Sequence, residues 1–363
     1  LGAFASSLIS PGQIKKTGQI RTYAAFASIA STAILIQLLF IEPPVWFVAR
    51  FLSGFCVAGI MIIVEGWLNS ISSNENRGQL FSIHMVVVWG GLAMGQGLFV
   101  VDSPAGVNLF LLASILLSIS LIPILLTEIK APETELQEPL GFKALWKASP
   151  SGVATIGISG LASAGFFGVG TIYAIKSGLS ISETALFMSL FIGFGALSQW
   201  PLGWLSDKID RRKVILLCCF IVLGICTLLA VFDFSKTTFL VLNGLIGAST
   251  LPLYSLGVAQ TNDRLKSSQM VSASGTIVFV YSFFAALGPF TMSYFLNLFD
   301  SLGFLLYLSL VHLVIAVTVF VMMFINKDVD ESDQSDFQVM AQRPSMVAME
   351  VIAEEAIESQ SDS

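Results

Sequence analysis

Long apolar runs fill most of the chain, and short stretches rich in charged residues, proline or glycine separate them. A helix needs about 20 apolar residues to cross the hydrocarbon of a bilayer, and it satisfies its own backbone hydrogen bonds there. The pattern predicts eleven helical segments, at about residues 1–10, 22–41, 45–70, 79–101, 105–127, 151–175, 182–205, 214–232, 237–261, 270–298 and 302–325. The first segment is half a span long, so we expect the chain to start inside a helix.

The composition agrees with this pattern. Apolar residues make up 55% of the 363 residues and charged residues only 12%, which is about half of the share usual in soluble domains. So few charged side chains cannot cover the exterior of a soluble fold of this size, and most of the surface must therefore face lipid. We predict an all-α integral membrane protein with about eleven spans. The four cysteines, Cys56, Cys218, Cys219 and Cys226, lie within apolar runs and are expected to be packing residues.

Lysine and arginine are distributed unequally between alternate connections of these segments. One set of connections holds fourteen of them: Lys15, Lys16, Arg21, Arg77, Lys130, Lys143, Lys147, Lys208, Arg211, Arg212, Lys213, Arg264, Lys266 and Lys327. The other set holds only Lys176 and Lys236. Because cytoplasmic loops retain positive charge, the first set of connections and the C-terminal tail are predicted to face the cytoplasm.

The longest internal connection divides the apolar segments into two groups. The predicted regions are an N-terminal transmembrane bundle at 1–127, a central cytoplasmic loop at 128–150, a C-terminal transmembrane bundle at 151–325 and an acidic tail at 326–363. The tail carries ten acidic residues against two basic ones, which favours disorder. A short acidic amphipathic helix at 345–359 that docks a partner is the alternative.

The two groups of segments read as copies of each other. An offset of 192 or 193 residues aligns Lys16 with Lys208, Arg21 with Lys213, Gly54 with Gly247, Asn69 with Asn262 and Gly95 with Gly288. So biased a composition also produces some matches by chance. If the repeat is genuine, one complete helix and the start of another precede Leu1, and the intact protein has twelve spans with both ends in the cytoplasm.

A short basic loop in each half carries a family resemblance. Residues 203–213 (GWLSDKIDRRK) resemble the loop motif G-x-x-x-D-[RK]-x-G-[RK]-[RK]-[RK] of the major facilitator superfamily, with Asp210 in place of the second glycine. The first-half copy, 11–21, keeps Gly18 and Arg21 but has Lys15 where the acidic residue would stand. The resemblance implies two pseudo-symmetric six-helix bundles, with the first helix and part of the second missing from this chain.

Two further motifs lie on the third segment. Arg50-x-x-x-Gly54 is similar to the R-x-x-x-G pattern of the family's fourth helix. Glu65-Gly-Trp-Leu-Asn69 resembles the E-x-W-L-N of a poorly characterised bacterial permease branch. A glycine-rich stretch at 90–97 is reminiscent of the family's antiporter motif but lacks its proline.

The resemblance implies a cytoplasmic gate made of the two basic loops and one carboxylate. The predicted gate residues are Lys16, Gly18, Arg21, Glu65, Gly203, Asp207, Arg211, Arg212 and Lys213. Our hypothesis is that Glu65 pairs with Arg21 or Lys16 in the outward-open state. The alternatives are a carboxylate solvated at the inner interface and, for the second loop, a plain topology signal.

The resemblance also implies a central cavity for coupling or substrate binding. The residues predicted to line it are Arg50, Trp89, Gln96, Ser159, Ser163, Phe166, Asn243, Tyr254 and Tyr281. An ionisable group inside an apolar span usually faces a cavity or a partner, although Arg50 is close enough to the outer side to snorkel. For the others, packing between helices is the alternative.

We therefore expect a secondary active transporter that moves a small molecule by alternating access, with protons as a candidate coupling ion. A non-transporting receptor or a channel on the same bundle is the alternative. His84 and His312 each lie alone in an apolar segment, and the sequence has no G-x-S-x-G or H-E-x-x-H motif, so we expect no enzymatic activity, metal site or cofactor. The expected partners are the substrate and membrane lipid, with no nucleic acid, and we expect a monomer in a bacterial inner membrane.

Overall fold

Helices make up the architecture of the part of the chain that the structure describes. The structure is a computed structural model that describes residues 1–71, 77–98, 102, 106–126, 140–265, 267–325 and 337. In these ranges the helices are α1 (Gly2–Thr17), α2 (Gln19–Leu39), α3 (Pro43–Ile71), α4 (Arg77–Gly97), α5 (Asn108–Leu126), α6 (Phe142–Ala148), α7 (Pro150–Lys176), α8 (Ile181–Ser206), α9 (Arg211–Val231), α10 (Lys236–Thr250), α11 (Pro252–Asn262), α12 (Ser267–Phe299) and α13 (Ser301–Ile325). The predicted all-α class is confirmed.

Ten of the eleven predicted segments each coincide with one helix, and the segment at 237–261 coincides with the pair α10 and α11. Within the described ranges, nine helical stretches are long and apolar enough to cross a membrane, and α10 and α11 together form one of them. The two segments outside this set are α1, which has only 16 residues, and α4. Leu251 and Pro252 divide α10 from α11, because proline cannot donate the backbone hydrogen bond that a continuous helix requires.

The central connection contains a helix that the sequence pattern did not predict. This helix is α6, which has seven residues, and its Leu145 is fully buried while Phe142 and Trp146 are exposed. The remainder of the predicted loop up to 139 lies outside the described residues, as does the tail at 326–363 apart from Phe337. The proposed regional boundaries therefore stay predictions.

The helix boundaries repeat at the offset read from the sequence. Shifting α2 by 192 residues gives the bounds of α9, and both helices have 21 residues. Corresponding glycines also lie at corresponding contacts: Gly54 on α3 packs on the backbone of α1, and Gly247 on α10 packs on the Phe191 backbone of α8. Equivalent helices are thus in contact at equivalent glycines, which supports a genuine repeat, although only at Gly247 would an added Cβ overlap its neighbour.

Contacts between the two groups of helices follow the same symmetry. Helix α1 packs against α12, where the rings of Phe4 and Phe279 are 5.2 Å apart, and helix α4 packs against α8. The repeat maps α1 onto α8 and α4 onto α12, so it converts one of these contacts into the other.

Successive crossings place the two basic loops on the same face. If each long helix crosses once, the end of α1 with Lys15 and Lys16 and the start of α9 with Arg211 share one side. On the opposite side, Lys176 Nζ lies 2.6 Å from Asp300 and Lys236 Nζ lies 2.9 Å from Glu183. Both lysines of the lysine-poor set are therefore neutralised by an acidic partner.

Candidate functional site

The loop between α8 and α9 is organised around one buried guanidinium. Arg211 Nε donates to Asp263 Oδ2 at 2.6 Å, and its Nη1 donates to Asp207 Oδ1 and Ser206 Oγ, each at 2.8 Å. Arg211 is only 1% exposed. A buried charge is tolerated when opposite charges and hydrogen bonds compensate its desolvation, and Arg211 has both. The predicted gate residues Asp207 and Arg211 are thus brought together.

Asp210 explains the departure from the family's loop motif. Its carboxylate accepts from the backbone N–H of Arg212 at 2.9 Å and so caps the start of α9. The same carboxylate holds the buried Arg212 guanidinium at 2.8 Å. In the first-half copy the equivalent residue is Gly18, whose φ of +89° is open only to glycine at little cost. The first-half loop therefore turns at a glycine with a positive φ, whereas the second-half loop turns at an aspartate that caps the following helix.

Sequence analysis missed Asp263 and Arg264 as members of this cluster. Arg264 is partly buried; burial and then the positive charge of Arg212 lower its pKa, while Asp210 and Asp263 act in the opposite direction. The cluster is therefore a balanced set of neighbouring charges at the ends of α8, α9 and α11. The available signal was an acid and an arginine immediately after the last residue of α11, on the side that carries the basic loops.

The first-half loop is more open. Lys16 and Arg21 are exposed, and so is Lys213 at the corresponding end of the second loop. Thr22 Oγ1 donates to the Gly18 carbonyl at 2.8 Å, which holds the turn between α1 and α2. This loop has no acid at the position equivalent to Asp207, as the sequence indicated.

Glu65 is buried beside a histidine. Only 1% of Glu65 is exposed, and His84 Nε2 on α4 lies 3.7 Å from its Oε1. Among the described residues no ion pair joins Glu65 to Arg21 or Lys16, so the hypothesised contact in the outward-open state stays a prediction. Sequence analysis treated His84 as an isolated residue. A usable signal was depth: Glu65 lies six residues before the end of α3, and His84 lies seven after the start of α4.

The predicted cavity residues fall into different environments. Arg50 is exposed about two turns into α3, and Gln96 is partly exposed. Ser159 and Ser163 are buried on α7, where Ser159 Oγ donates to the Ile156 carbonyl at 2.9 Å. An exposed arginine on α3 is compatible with both snorkelling and a cavity, so its role stays a prediction.

Phe166 lies at the centre of an aromatic cluster. Its ring stacks on Phe191 with centroids 3.5 Å apart and on Phe187 at 5.6 Å. Asn243 Nδ2 donates to the Phe187 carbonyl at 2.7 Å, and Trp89 of α4 joins the same core. The structure therefore brings three predicted residues together, with contacts that are those of tight packing.

Tyr254 and Tyr281 form a second, separate group. Their rings meet edge to face with centroids 4.7 Å apart, and both residues are buried. A groove of about 330 Å³ between α2 and α3 is lined by apolar residues and includes none of the predicted cavity residues.

Phe337 connects the C-terminal tail to the second loop. Its backbone N–H donates to Asp207 Oδ1 at 3.1 Å, and its ring occupies the space where a side chain at Gly203 would lie. The ring packs against the buried cluster that includes Val214, Cys218 and Ile315. Gly203, a predicted gate residue, thus leaves room for the Phe337 ring because it has no side chain.

Comparison with known sequences gives two family matches. Residues 153–353 match the family described as "Major Facilitator Superfamily", and residues 1–135 match the one described as "Sugar (and other) transporter". The chain is 26% identical over 312 residues to the "Uncharacterized MFS-type transporter YcaD" of Escherichia fergusonii, which covers 85% of this chain and 80% of that protein. Identity to the protein of the same name from Salmonella arizonae is 26% over 314 residues, with the same coverage.

Solved structures share the fold. A bacterial homologue of the human lysosomal transporter Spinster, in an inward-facing and occupied conformation, gives a TM-score of 0.62 at 14% identity, over 99% of this chain and 87% of that one. The Escherichia coli fucose:proton symporter FucP gives 0.50 at 10% identity, over 88% and 87% of the two chains.

Proposed function

Because the chain belongs to the major facilitator superfamily, we propose that it carries a small molecule across the membrane by alternating access, as a secondary active transporter. Membership in this family makes the protein a multi-pass membrane transporter, and it confirms the resemblance read from the loop motif. The mechanism, the coupling ion and the substrate class are parts of the proposal. So are the monomeric state, the bacterial inner membrane and the cytoplasmic side of the tail.

The observation that supports the proposal most is the symmetry of the contacts between the two groups of helices. The repeat maps the α1–α12 contact onto the α4–α8 contact. Two related bundles that meet through equivalent helices can rock about their shared interface and open a central site first to one side and then to the other. The Phe4–Phe279 ring contact, at 5.2 Å, is one of the places where the two bundles would slide. The boundaries at 1–127 and 151–325 follow from this assignment.

The charge cluster around Arg211 supports a gate on the face of the basic loops. It links the ends of α8, α9 and α11 through the buried Arg211–Asp263 pair. Breaking such a cluster is costly unless water or new partners replace the lost bonds, so it can hold one conformation and release it as a unit.

Few charges in the predicted cavity favour a neutral or amphiphilic substrate. Arg50 is the one charged member of the predicted set, and the others supply hydroxyl, amide and aromatic groups. The name of one fold neighbour, a fucose:proton symporter, makes protons the first ion to test.

The test is transport by the full-length protein in proteoliposomes. A panel of labelled sugars, amino acids and amphiphilic cations is offered with an imposed proton gradient, without it, and with a protonophore, and empty liposomes serve as the control. Concentrative movement of at least one compound that the protonophore abolishes supports the proposal. Flux that only follows the concentration gradient at channel-like rates, or saturable binding with no flux, would assign the protein to the channel or the receptor alternative.

A further inference from the structure

The loop between α8 and α9 binds a residue of the chain's own C-terminal tail. Phe337 donates its backbone N–H to Asp207 Oδ1 at 3.1 Å, and its ring lies where a side chain at Gly203 would be. The ring also packs against a cluster of buried residues from α9, α11 and α13. We call the surface made of Gly203, Asp207 and this cluster the tail-docking surface. It combines a carboxylate that accepts a backbone hydrogen bond with an apolar recess for an aromatic ring.

The segment that connects α13 to Phe337 is long enough for both docking and release. Helix α13 ends at Ile325, and the eleven residues 326–336 separate it from Phe337. An extended chain spans at most about 3.3–3.6 Å per residue, so this segment can reach roughly 40 Å. Phe337 can therefore leave the tail-docking surface without movement of any helix. Because the segment keeps Phe337 nearby, docking is an intramolecular equilibrium with a high effective concentration.

The charges of this segment and of the loop are complementary. Residues 326–336 carry five acidic side chains and one lysine. The loop beside the tail-docking surface presents the exposed side chains of Lys208 and Lys213. Opposite charges attract, so the acidic segment favours approach of the tail to this loop.

Docking is coupled to the buried charge cluster because both use one carboxylate. Asp207 Oδ1 accepts from Arg211 Nη1 at 2.8 Å as well as from the backbone of Phe337. Arg211 also holds Asp263, which follows α11. A conformation in which the cluster is broken would remove one contact of Phe337. Since such coupling is reciprocal, a docked Phe337 favours the intact cluster by the same free energy.

The first-half loop lacks both elements of the tail-docking surface. The residues at the positions of Gly203 and Asp207 are Pro11 and Lys15. Proline has a side chain where the ring would lie, and a lysine ammonium cannot accept a hydrogen bond from a backbone N–H. Docking of the tail therefore acts on the second loop alone.

We propose that the tail is autoinhibitory: Phe337 docks on the tail-docking surface, stabilises the charge cluster around Arg211, and must leave before the second loop can open. A docked tail adds to the free energy that the protein needs to leave this conformation. Transport is therefore slower with the tail docked than with the tail free. The effect on transport rests on the proposed function, whereas docking and its coupling to the cluster are measurable without any substrate.

A disulfide in the full chain tests docking. A Cβ on Gly203 would lie 2.7 Å from Phe337 Cγ, and therefore no more than about 4.2 Å from Phe337 Cβ, since a carbon–carbon bond is about 1.5 Å long. Disulfides join residues whose Cβ atoms are about 3.5–4.5 Å apart. Gly203→Cys with Phe337→Cys should thus form a disulfide on mild oxidation, detected by mass spectrometry of digests before and after reduction. The four native cysteines are buried, and Phe337→Cys alone gives the background.

The matched control is Trp204→Cys with Phe337→Cys. Trp204 is the next residue of α8 and is 53% exposed, so its thiol would point away from the tail-docking surface. We expect little disulfide in this pair. Equal yields in the two pairs would overturn docking.

Hydrogen–deuterium exchange tests the coupling in the same detergent-solubilised chain. Residues 259–265, which include the last turn of α11, lie outside the cluster that the ring contacts and are linked to it through the Asp263–Arg211 pair. Phe337→Ala should speed exchange there several-fold, because the tail no longer stabilises the charge cluster. Phe324→Ala, at an exposed position near the end of α13, should leave the exchange unchanged. Equal exchange in the two variants would overturn the coupling.

Transport in proteoliposomes tests the autoinhibition. The oxidised Gly203→Cys, Phe337→Cys protein should transport at least tenfold more slowly than the same protein after reduction, and Phe337→Ala should transport faster than the wild type. Equal rates before and after reduction, or no gain in Phe337→Ala, would overturn the autoinhibition and leave the transporter. A protein that moves none of the offered compounds in any form refutes the proposed function instead. The disulfide and the exchange rates then still decide whether the tail docks and stabilises the cluster.

Discussion

Arg211 and Asp263 form a buried ion pair across 52 residues of sequence, with 2.6 Å between Nε and Oδ2. The pair joins the start of α9 to the residue that follows α11. Asp207 shares the same guanidinium, and Phe337 of the tail shares Asp207. The end of α8, the ends of two other helices and one tail residue are thus connected through two carboxylates.

Replacing Arg211 should destabilise the fold strongly. Arg211→Ala leaves Asp263 buried without its cation, and loss of one partner of a buried pair costs about 3–5 kcal/mol. The measurement is thermal unfolding in detergent. Lys213→Ala, an exposed neighbour in the same turn, is the matched control and should change the free energy of unfolding by no more than about 0.5 kcal/mol.

The double variant Arg211→Ala with Asp263→Asn should recover part of that loss, because it removes the uncompensated charge. Equal melting temperatures for Arg211→Ala and Lys213→Ala would mean that the pair contributes nothing to stability in this conformation.

Gly18 should resist substitution while a glycine nearby does not. Gly18 has φ +89° and ψ 153°, a region that costs other residues about 1–3 kcal/mol, so Gly18→Ala should lower the melting temperature. Gly12 lies inside α1, and a Cβ there would meet nothing within 4 Å. Gly12→Ala should therefore stabilise α1 by about 0.5–1 kcal/mol, since alanine is the better helix former. A Gly18→Ala protein that melts no earlier than the wild type would refute the strained turn.

Gly247 should be needed for the approach of α10 to α8. A Cβ at this position would overlap the backbone of Phe191, which cannot move aside as a side chain can. Gly247→Ala should cost about 1–3 kcal/mol through overpacking and lower the yield of monodisperse protein in size-exclusion chromatography. On α9, Gly224→Ala meets nothing within 4 Å and is the control expected to fold normally. Equal yields of the two variants would contradict the close contact.

The contact of Phe337 should protect the tail from proteolysis. Phe337→Ala removes the ring that packs on Gly203, so trypsin should cleave after Lys327 several-fold faster, as measured by mass spectrometry of timed digests. Phe324→Ala, a 78% exposed phenylalanine at the end of α13, should leave this rate unchanged. Identical cleavage in the two variants would show that the ring does not hold the tail.

The helical architecture was predictable because a single requirement sets it. Spans that satisfy the backbone in lipid must be long and apolar, and this gave all eleven segments and the repeat that relates α2 to α9. The break between Leu251 and Pro252 was not predicted, because hydropathy continues across a proline in the middle of an apolar run and so shows one segment. Helix α6 was missed since seven residues are too few to show a period.

The site was predictable only in part, because partners depend on helix rotation and depth. The loop motif identified Asp207 and Arg211, but their third partner, Asp263, is far away in sequence. Glu65 was selected from its motif, whereas His84 became meaningful only when α3 and α4 were packed side by side. Several predicted cavity residues, such as Phe166, have the contacts of core residues in this conformation, and their role in substrate binding stays a prediction.

The position of Phe337 beside Gly203 and Asp207 also makes the tail a suitable site for a fluorescent label. A small environment-sensitive dye attached to the tail next to Phe337 would lie close to the end of α8. Any rearrangement of the loop that follows α8 would change the surroundings of that dye. Its emission would then test for the conformational change that we propose, without the need for a known substrate.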